Sequence, residues 1–313
     1  MLLGKIGYEM TISILIPVNN YDIFAFVSSF RDAFDSIPEL VEVLIGDDGS
    51  SEEYSNRYKT LEDNRIKIIR SANNIGRAAI RNKLIDASKG EYLIFVDQDA
   101  MLPGTADEYI KKWVAEINGS SVVYGGARYR EVPPTDPDKI LRWKYGVKYE
   151  QKSSAERSKN PCRNFSTFNV LFNRSVFDKL RFNEDLKQYG YEDKFLAYQL
   201  KKAGIEIKHI DNALYHEGVE GNQEFIDKTK QGIENLSKLF DTVTDKKVFA
   251  ENVQLIAIYN RLWKFGLNYP LRLLYLRYGE RIELRLNKSP SRIWLFRLYK
   301  ISMFCMLRYL ANN

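Results

Sequence analysis

The sequence predicts an α/β protein built on a Rossmann-like, mostly parallel sheet flanked by helices, followed by a basic helical extension. Three observations point there. Four short apolar runs alternate with helix-period segments over the first hundred residues, the pattern of successive βαβ units. Each of the best-defined runs ends abruptly in polar or acidic residues. The charge is also unevenly spread: residues 251–313 carry 11 Lys and Arg against Glu251, Glu280 and Glu283, leaving 36 basic and 38 acidic residues before them.

The elements follow in order. Ile12–Val18 reads as a strand closed by Pro17. Phe26, Phe30 and Phe34 recur every four residues, one face of a helix that Asp22 can cap. Val41–Ile45 is the next strand, running into Gly46-Asp47-Asp48-Gly49-Ser50, and Ser50 with Glu53 has capping-box spacing for the helix after it. Ile66–Ile69 is a third strand. Arg77–Ser88 is a helix with Gly90 placed to end it. Tyr92–Val96 is uniformly apolar, as a strand covered on both faces should be.

From Ser121 the rhythm changes. Val122–Tyr124 and Phe165–Phe172 have strand character, Pro133, Pro134 and Pro137 punctuate a loop, and residues 139–160 are polar and basic. Glu192–Lys202 reads as a helix ended by Gly204, and Ile205–Lys208 alternates like a strand. A catalytic body over residues 10–225 and an extension over 226–313 are therefore expected. In the extension Phe225–Phe240 is amphipathic. Within Ser291–Leu310, Arg297, Lys300 and Arg308 cluster on a helical wheel beside Trp294, Leu298, Ile301 and Cys305. Two readings are open: a helix lying in an anionic membrane surface, or a bundle packed on the body with solvated charges.

Composition narrows the class. The 313 residues are 44% hydrophobic and 28% charged, ordinary for a folded globular chain. Cys162 and Cys305 are far apart and lack metal-ligand spacing, which fits a reducing, cytoplasmic setting without a zinc site. No run of about 18 uncharged apolar residues is present to span a bilayer, and the first ten residues lack the pattern of a secretory leader. A basic tail alone could signal nucleic acid, but no recognition motif accompanies it, and no nucleic-acid partner is expected. The oligomeric state has no signature.

Five short motifs carry the chemistry: Pro17-Val18-Asn19-Asn20, Asp47-Asp48-Gly49-Ser50, Asn74-Ile75-Gly76-Arg77 followed by Arg81-Asn82, Asp97-Gln98-Asp99, and the late pair Glu192-Asp193, with His216 beyond it. The first four each follow a strand, so they can meet along one rim, where α/β sheets gather ligands. Two acids at Asp97 and Asp99 would be costly to bury without a cation. Hard oxygen ligands suit Mg²⁺ or Mn²⁺ shared with substrate phosphates.

In this order the motifs resemble the family 2 glycosyltransferases, with the GT-A nucleotide-sugar fold, over about residues 10–220. The resemblance implies a sugar nucleotide donor, usually a UDP-sugar, held by Pro17, Asn19, Asp47 or Asp48, Asn74, Gly76, Arg77 and Asp97. It implies Asp99 and His216 as ligands of Mn²⁺ or Mg²⁺, Asp193 as catalytic base, and Glu192 as an orienting or acceptor-binding group. The acceptor is expected to be a glycan or lipid-linked glycan. One departure stands out: Ile80 precedes Arg81-Asn82 where the family commonly has alanine, a packing change. The Gln/Arg/Trp signature of processive members is missing, so a non-processive, inverting enzyme is expected, with one base and one displacement.

The chemistry asks for the same residue types. Charge grows on the diphosphate as the glycosidic bond breaks, and a divalent ion stabilises it by several kcal/mol, roughly. An acceptor hydroxyl needs a base, worth about 10²–10⁴ in rate. Two alternatives are weaker. A sugar nucleotidyltransferase would open with a Gly-rich phosphate loop that Pro17–Asn20 is not, and a non-catalytic nucleotide-sugar binder or membrane scaffold has no need of both Asp99 and Asp193.

Overall fold

The computed structural model describes residues 10–117, 119–186, 190–288 and 292–311. The opening segment judged above for a leader therefore lies, except for Met10, outside the described residues. The chain runs β1 (Ile12–Val18), α1 (Phe24–Ser28), α2 (Phe30–Ser36), β2 (Leu40–Asp48), α3 (Glu52–Lys59), β3 (Ile66–Ser71), α4 (Arg77–Ala87), β4 (Tyr92–Val96), β5 (Ala100–Met101), α5 (Ala106–Ile117) and β6 (Val122–Tyr124). It continues through β7 (Ala127–Arg128), α6 (Ile140–Tyr145), α7 (Ser154–Ser158), β8 (Asn169–Asn173), α8 (Glu192–Lys202), β9 (Ile207–His209) and β10 (Leu214–His216). Five helices close it: α9 (Asn222–Thr242), α10 (Lys246–Asn252), α11 (Gln254–Trp263), α12 (Asn268–Lys288) and α13 (Ile293–Ala311).

Two compact units emerge, and neither is a single stretch of chain. The first comprises the described parts of Met1–Gly125, Thr167–Phe182 and Glu206–Leu214; the second, those of Gly126–Ser166, Asn183–Ile205 and Tyr215–Asn313. The first unit holds a seven-stranded sheet in the order β3-β2-β1-β4-β8-β6-β9. β1 pairs in parallel with β2 and β4, β2 with β3, and β6 with β9, while β8 runs antiparallel to β4 and β6. Its central strands are buried because they are apolar at nearly every position: Ile14, Leu15, Ile94 and Phe95 are all at 0% exposure. Phe95 packs edge-on against Phe172, Phe177 and Phe182.

The predicted strands and helices are present, with local differences that have causes. The phenylalanine-faced helix breaks into α1 and α2, though Asp22 does accept the Phe24 N–H at 3.0 Å. The Ser50/Glu53 capping box does not form: Ser51 precedes α3 without a side-chain cap, and Ser50 Oγ instead accepts the Asn20 N–H at 2.9 Å. Gly90 is needed for proximity rather than for ending a helix. α4 stops at Ala87, and a Cβ on Gly90 would sit 2.5 Å from the Ser13 backbone nitrogen.

In the second unit α9, α12 and α13 bury two apolar clusters, one around Ile233, Phe249 and Phe304, the other around Ile226, Leu286 and Phe296. The last helix packs one face into these clusters, while Trp294 on it is 61% exposed. Ile301 and Cys305 are buried, and Arg308 is buried as well, its guanidinium paired with both Asp241 carboxylate oxygens at 2.7 Å. Among the described residues no helix is long and apolar enough to cross a membrane.

Candidate functional site

Parallel pairing points β1, β2, β3 and β4 the same way, so their C-terminal ends share one rim of the first unit. The structure brings four predicted motifs together there. Asn19, just past Pro17, donates its backbone N–H to Gln98 Oε1 and its side-chain amide to the Asp48 carbonyl, both at 2.8 Å. The end of β1 is thereby tied to the ends of both its neighbours.

Asp47 and Asp48 divide their work. Asp47 is fully buried: one carboxylate oxygen accepts the Ser50 N–H at 2.9 Å, and the other accepts the Ser55 hydroxyl at 3.1 Å and lies 3.6 Å from Arg70 Nε. It closes its own turn from within. Asp48 faces the neighbouring loop, accepting the Ile75 N–H at 2.6 Å and the Gly76 N–H at 3.1 Å. The Asn74–Arg77 turn therefore hangs on this one carboxylate. Gly49, at φ +71°, makes the approach feasible, because a Cβ there would lie 2.4 Å from the Asn73 carbonyl carbon. Gly76 (φ +93°) opens α4, and Arg77 is exposed at its first turn.

The two arginines four residues apart behave differently. Arg81 is only 2% exposed and donates from Nη2 to Asp97 Oδ1 at 2.7 Å, with its guanidinium 5.5 Å from the centre of the Phe182 ring. Asp97 is further held by its backbone N–H on the Phe168 carbonyl, 3.1 Å away. Asp97, Gln98 and Asp99 are half-buried in the tight turn after β4. Among the described residues no three His, Cys, Asp or Glu side chains group to hold a metal by themselves. Asp99 nevertheless supplies a hard carboxylate in a partly open position, which fits a Mg²⁺ or Mn²⁺ ion held by one or two protein carboxylates with substrate phosphates completing its shell.

In the second unit, Glu192 and Asp193 form the first turn of α8, where the helix dipole favours anions. Tyr191 before them has φ +69°, an uncommon backbone for a non-glycine residue, and Gly190 has φ +99°. α9 fixes this turn. A Cβ on Gly190 would fall 2.8 Å from Gly232 Cα, and Asn235 Nδ2 donates to the Gly190 carbonyl at 2.6 Å. Asp193 Oδ1 accepts the Lys194 N–H at 2.7 Å.

His216 sits in a charged network in the same unit. Its ring stacks on Tyr129 with centroids 5.4 Å apart, and its Nε2 lies 3.4 Å from Arg142 Nη2. The buried Arg142 also pairs with Glu150 at 3.1 Å and Glu220 at 3.0 Å, and Tyr129 donates its hydroxyl to Glu150. Burial is the largest influence and raises the Glu150 and Glu220 carboxyls, but the Arg142 guanidinium together with His216 and the Tyr129 hydroxyl at Glu150, and with Lys228 at Glu220, outweighs it, so both lie below the usual glutamate value. Burial, then the Glu150 charge, pushes the Tyr129 hydroxyl well above its usual range. Tyr145 packs against Tyr149, Phe225 and Phe296, and Trp143 Nε1 donates to the Arg130 carbonyl.

Sequence reasoning left out Gln98 and Arg142 and did not assign Arg81 a partner. Only the Arg81-Asn82 motif carried a signal; Arg142 lies in a basic stretch with nothing to distinguish it.

Residues 13–181 match the family model described as Glycosyl transferase family 2. The chain is 23% identical over 214 residues to EpsH of Bacillus subtilis (strain 168), whose name places it provisionally among the glycosyltransferases; the match covers 66% of this chain and 60% of that one. It is 33% identical over 145 residues to a poly(ribitol-phosphate) beta-glucosyltransferase of Bacillus spizizenii, covering 41% of this chain and 22% of the other. The chain thus spans between about a fifth and three fifths of these relatives' length. Among solved structures, the mannosyltransferase PcManGT of Pyrobaculum calidifontis, in complex with GDP-Man and Mn²⁺, aligns with TM-score 0.53 at 16% identity, over 98% of this chain and 88% of that one. Residues 1–349 of TarS from S. aureus align with TM-score 0.50 at 15% identity, over 97% and 92%. The fold is that of the GT-A enzymes.

Proposed function

Because the chain belongs to glycosyl transferase family 2, we propose that it is an inverting, non-processive transferase moving a hexosyl or N-acetylhexosaminyl group. The donor is a nucleotide sugar, of the UDP class by the family's usual preference, and the acceptor is a hydroxyl of a glycan or lipid-linked glycan in the cytoplasm. The observation that carries this is the rim where Asp48, the Asn74–Gly76 turn, Asn19 and the Arg81–Asp97 pair are hydrogen-bonded into one arrangement.

Within it Asp48, rather than the internally engaged Asp47, borders the nucleotide base, and Pro17, Asn19, Asn74, Gly76 and Arg77 line the nucleotide. Asp97, held by Arg81, is assigned to the ribose. Asp99 would hold a Mn²⁺ or Mg²⁺ ion, and His216 is proposed as its further ligand. Such an ion supplies charge stabilisation at the diphosphate. Asp193 takes the proton of the acceptor hydroxyl as it attacks the anomeric carbon, and Glu192 orients the acceptor. The excess of 11 Lys and Arg over three acids in residues 251–313 supports an anionic membrane surface as partner.

The test is nucleotide diphosphate release from a panel of UDP-, GDP- and other nucleotide sugars with Mn²⁺, Mg²⁺ or chelator, with donor binding scored in parallel. Metal-dependent release from one donor, lost in Asp99→Ala, is the expected outcome. Absence of both release and metal-dependent nucleotide binding would move the reading to a non-catalytic scaffold.

A further inference from the structure

The helical hairpin formed by α11 and α12 leaves a row of its apolar residues in solvent. At its tip Trp263 is 54% exposed and Phe265 72%, with Leu267 beside them. The exposure is built in. Backbone N–H groups of Phe265 and Leu267 both bond the Leu262 carbonyl, that of Gly266 bonds the Trp263 carbonyl, and Gly266 takes φ +67° to close the turn. Along α12, Tyr269, Leu273, Leu276 and Leu284 are all exposed. At 100° per residue they share one side of the helix, roughly a third of a turn from the buried Ile282 and Leu286.

The charges around this face are mostly basic, with Glu280 the exception. Arg261 and Lys264 flank the tip, Arg277, Arg281, Arg285 and Lys288 are exposed on α12, and Glu280 is the single exposed acid of that helix. The other acid, Glu283, is engaged by Lys230 and the Tyr299 hydroxyl. An apolar face of this extent is uncommon on a monomer and marks an interaction surface. Its partner must accept tryptophan and leucine into an apolar layer and arginine and lysine beside a negative one. An anionic bilayer meets both demands, with the aromatic tip at the acyl boundary and the basic residues among the headgroups.

We propose that the α11–α12 hairpin is a membrane-docking surface for anionic lipid. The inference deepens the proposal of a membrane partner, and its test does not require transferase activity. The purified 313-residue chain is floated with vesicles of phosphatidylcholine alone or mixed with phosphatidylglycerol, at low and high salt. Binding to the anionic vesicles is expected to exceed binding to neutral ones by about tenfold or more and to weaken as salt screens the charges. The triple variant Trp263→Ser, Phe265→Ser, Leu267→Ser is expected to lose binding by about tenfold with its melting temperature and nucleotide binding intact. Arg277→Gln with Arg281→Gln should weaken binding to anionic vesicles only. Absence of vesicle binding by the folded wild type, or equal binding by the triple variant, overturns the proposal. So does light scattering that shows a dimer abolished by the same three substitutions, which would make the hairpin an interface between copies.

Discussion

The Arg81 guanidinium and the Asp97 carboxylate meet at 2.7 Å inside the first unit, the arginine almost wholly withdrawn from water and the aspartate partly open. The pair joins the first turns of α4 to the end of β4. A rigid, buried partner on one side holds the carboxylate in a fixed direction, which would pre-organise Asp97 for the proposed ribose contact.

Arg81→Met should therefore act twice. Breaking the pair leaves Asp97 without its cation, with an expected cost of about 3 kcal/mol in denaturant unfolding. Affinity for the nucleotide, read by calorimetric titration, is expected to fall by about tenfold or more.

Asp48→Asn tests the hinge between β2 and the Asn74–Arg77 turn. An asparagine offers one acceptor where two backbone N–H groups need two, and its amide would confront a donor. An unfolding cost of about 1–3 kcal/mol is expected, with weakened nucleotide binding. Asp47→Asn should cost comparable stability but affect binding only through it.

Gly190→Ala strains the turn that launches α8, since φ there is +99° and the added carbon would press on Gly232 of α9. Its kcat should fall well beyond any change in donor KM, because the proposed base Asp193 is displaced while the proposed nucleotide rim is untouched. Asn235→Ala, which removes the hydrogen bond to the Gly190 carbonyl, should show the same split more mildly. Equal losses in kcat and KM, or none, would remove α9 from a positioning role.

Asp193→Asn should leave donor binding in place and reduce transfer by about 10²–10⁴, measured as product formed per enzyme under saturating donor.

The Arg142 network sets an acid limit. The carboxyls of Glu150 and Glu220 titrate below their usual value of 4.5, so the folded state binds protons less readily than the unfolded chain. Their stabilisation is complete above the unfolded value and is lost as pH falls from there through the lower folded values. Glu220→Gln should cost about 1.5–3 kcal/mol at neutral pH, and its melting temperature should converge on that of the wild type as the solution is acidified.

Much of this molecule was determined by local sequence. The strands of the first unit were legible because Ile12–Val18 and Tyr92–Val96 are apolar at nearly every position, and a residue covered on both faces has no polar alternative. The four rim motifs were legible because parallel strands must all deliver their ends to one edge. What needed tertiary structure was the partner of each polar group. Asp47 and Asp48 are adjacent and chemically identical, yet one is spent inside its own turn and the other on a loop some 27 residues away. Arg77 and Arg81 share a helix and differ only in what packs over them. The last helix has a basic, aromatic composition suited to a membrane surface, yet Asp241 and the apolar clusters of α9 and α12 bury its Ile301, Cys305 and Arg308, while Trp294 stays exposed and a further exposed apolar face lies on α11 and α12. Periodicity fixes which residues share a face of an element; only packing between elements far apart in sequence decides which face meets protein and which meets solvent.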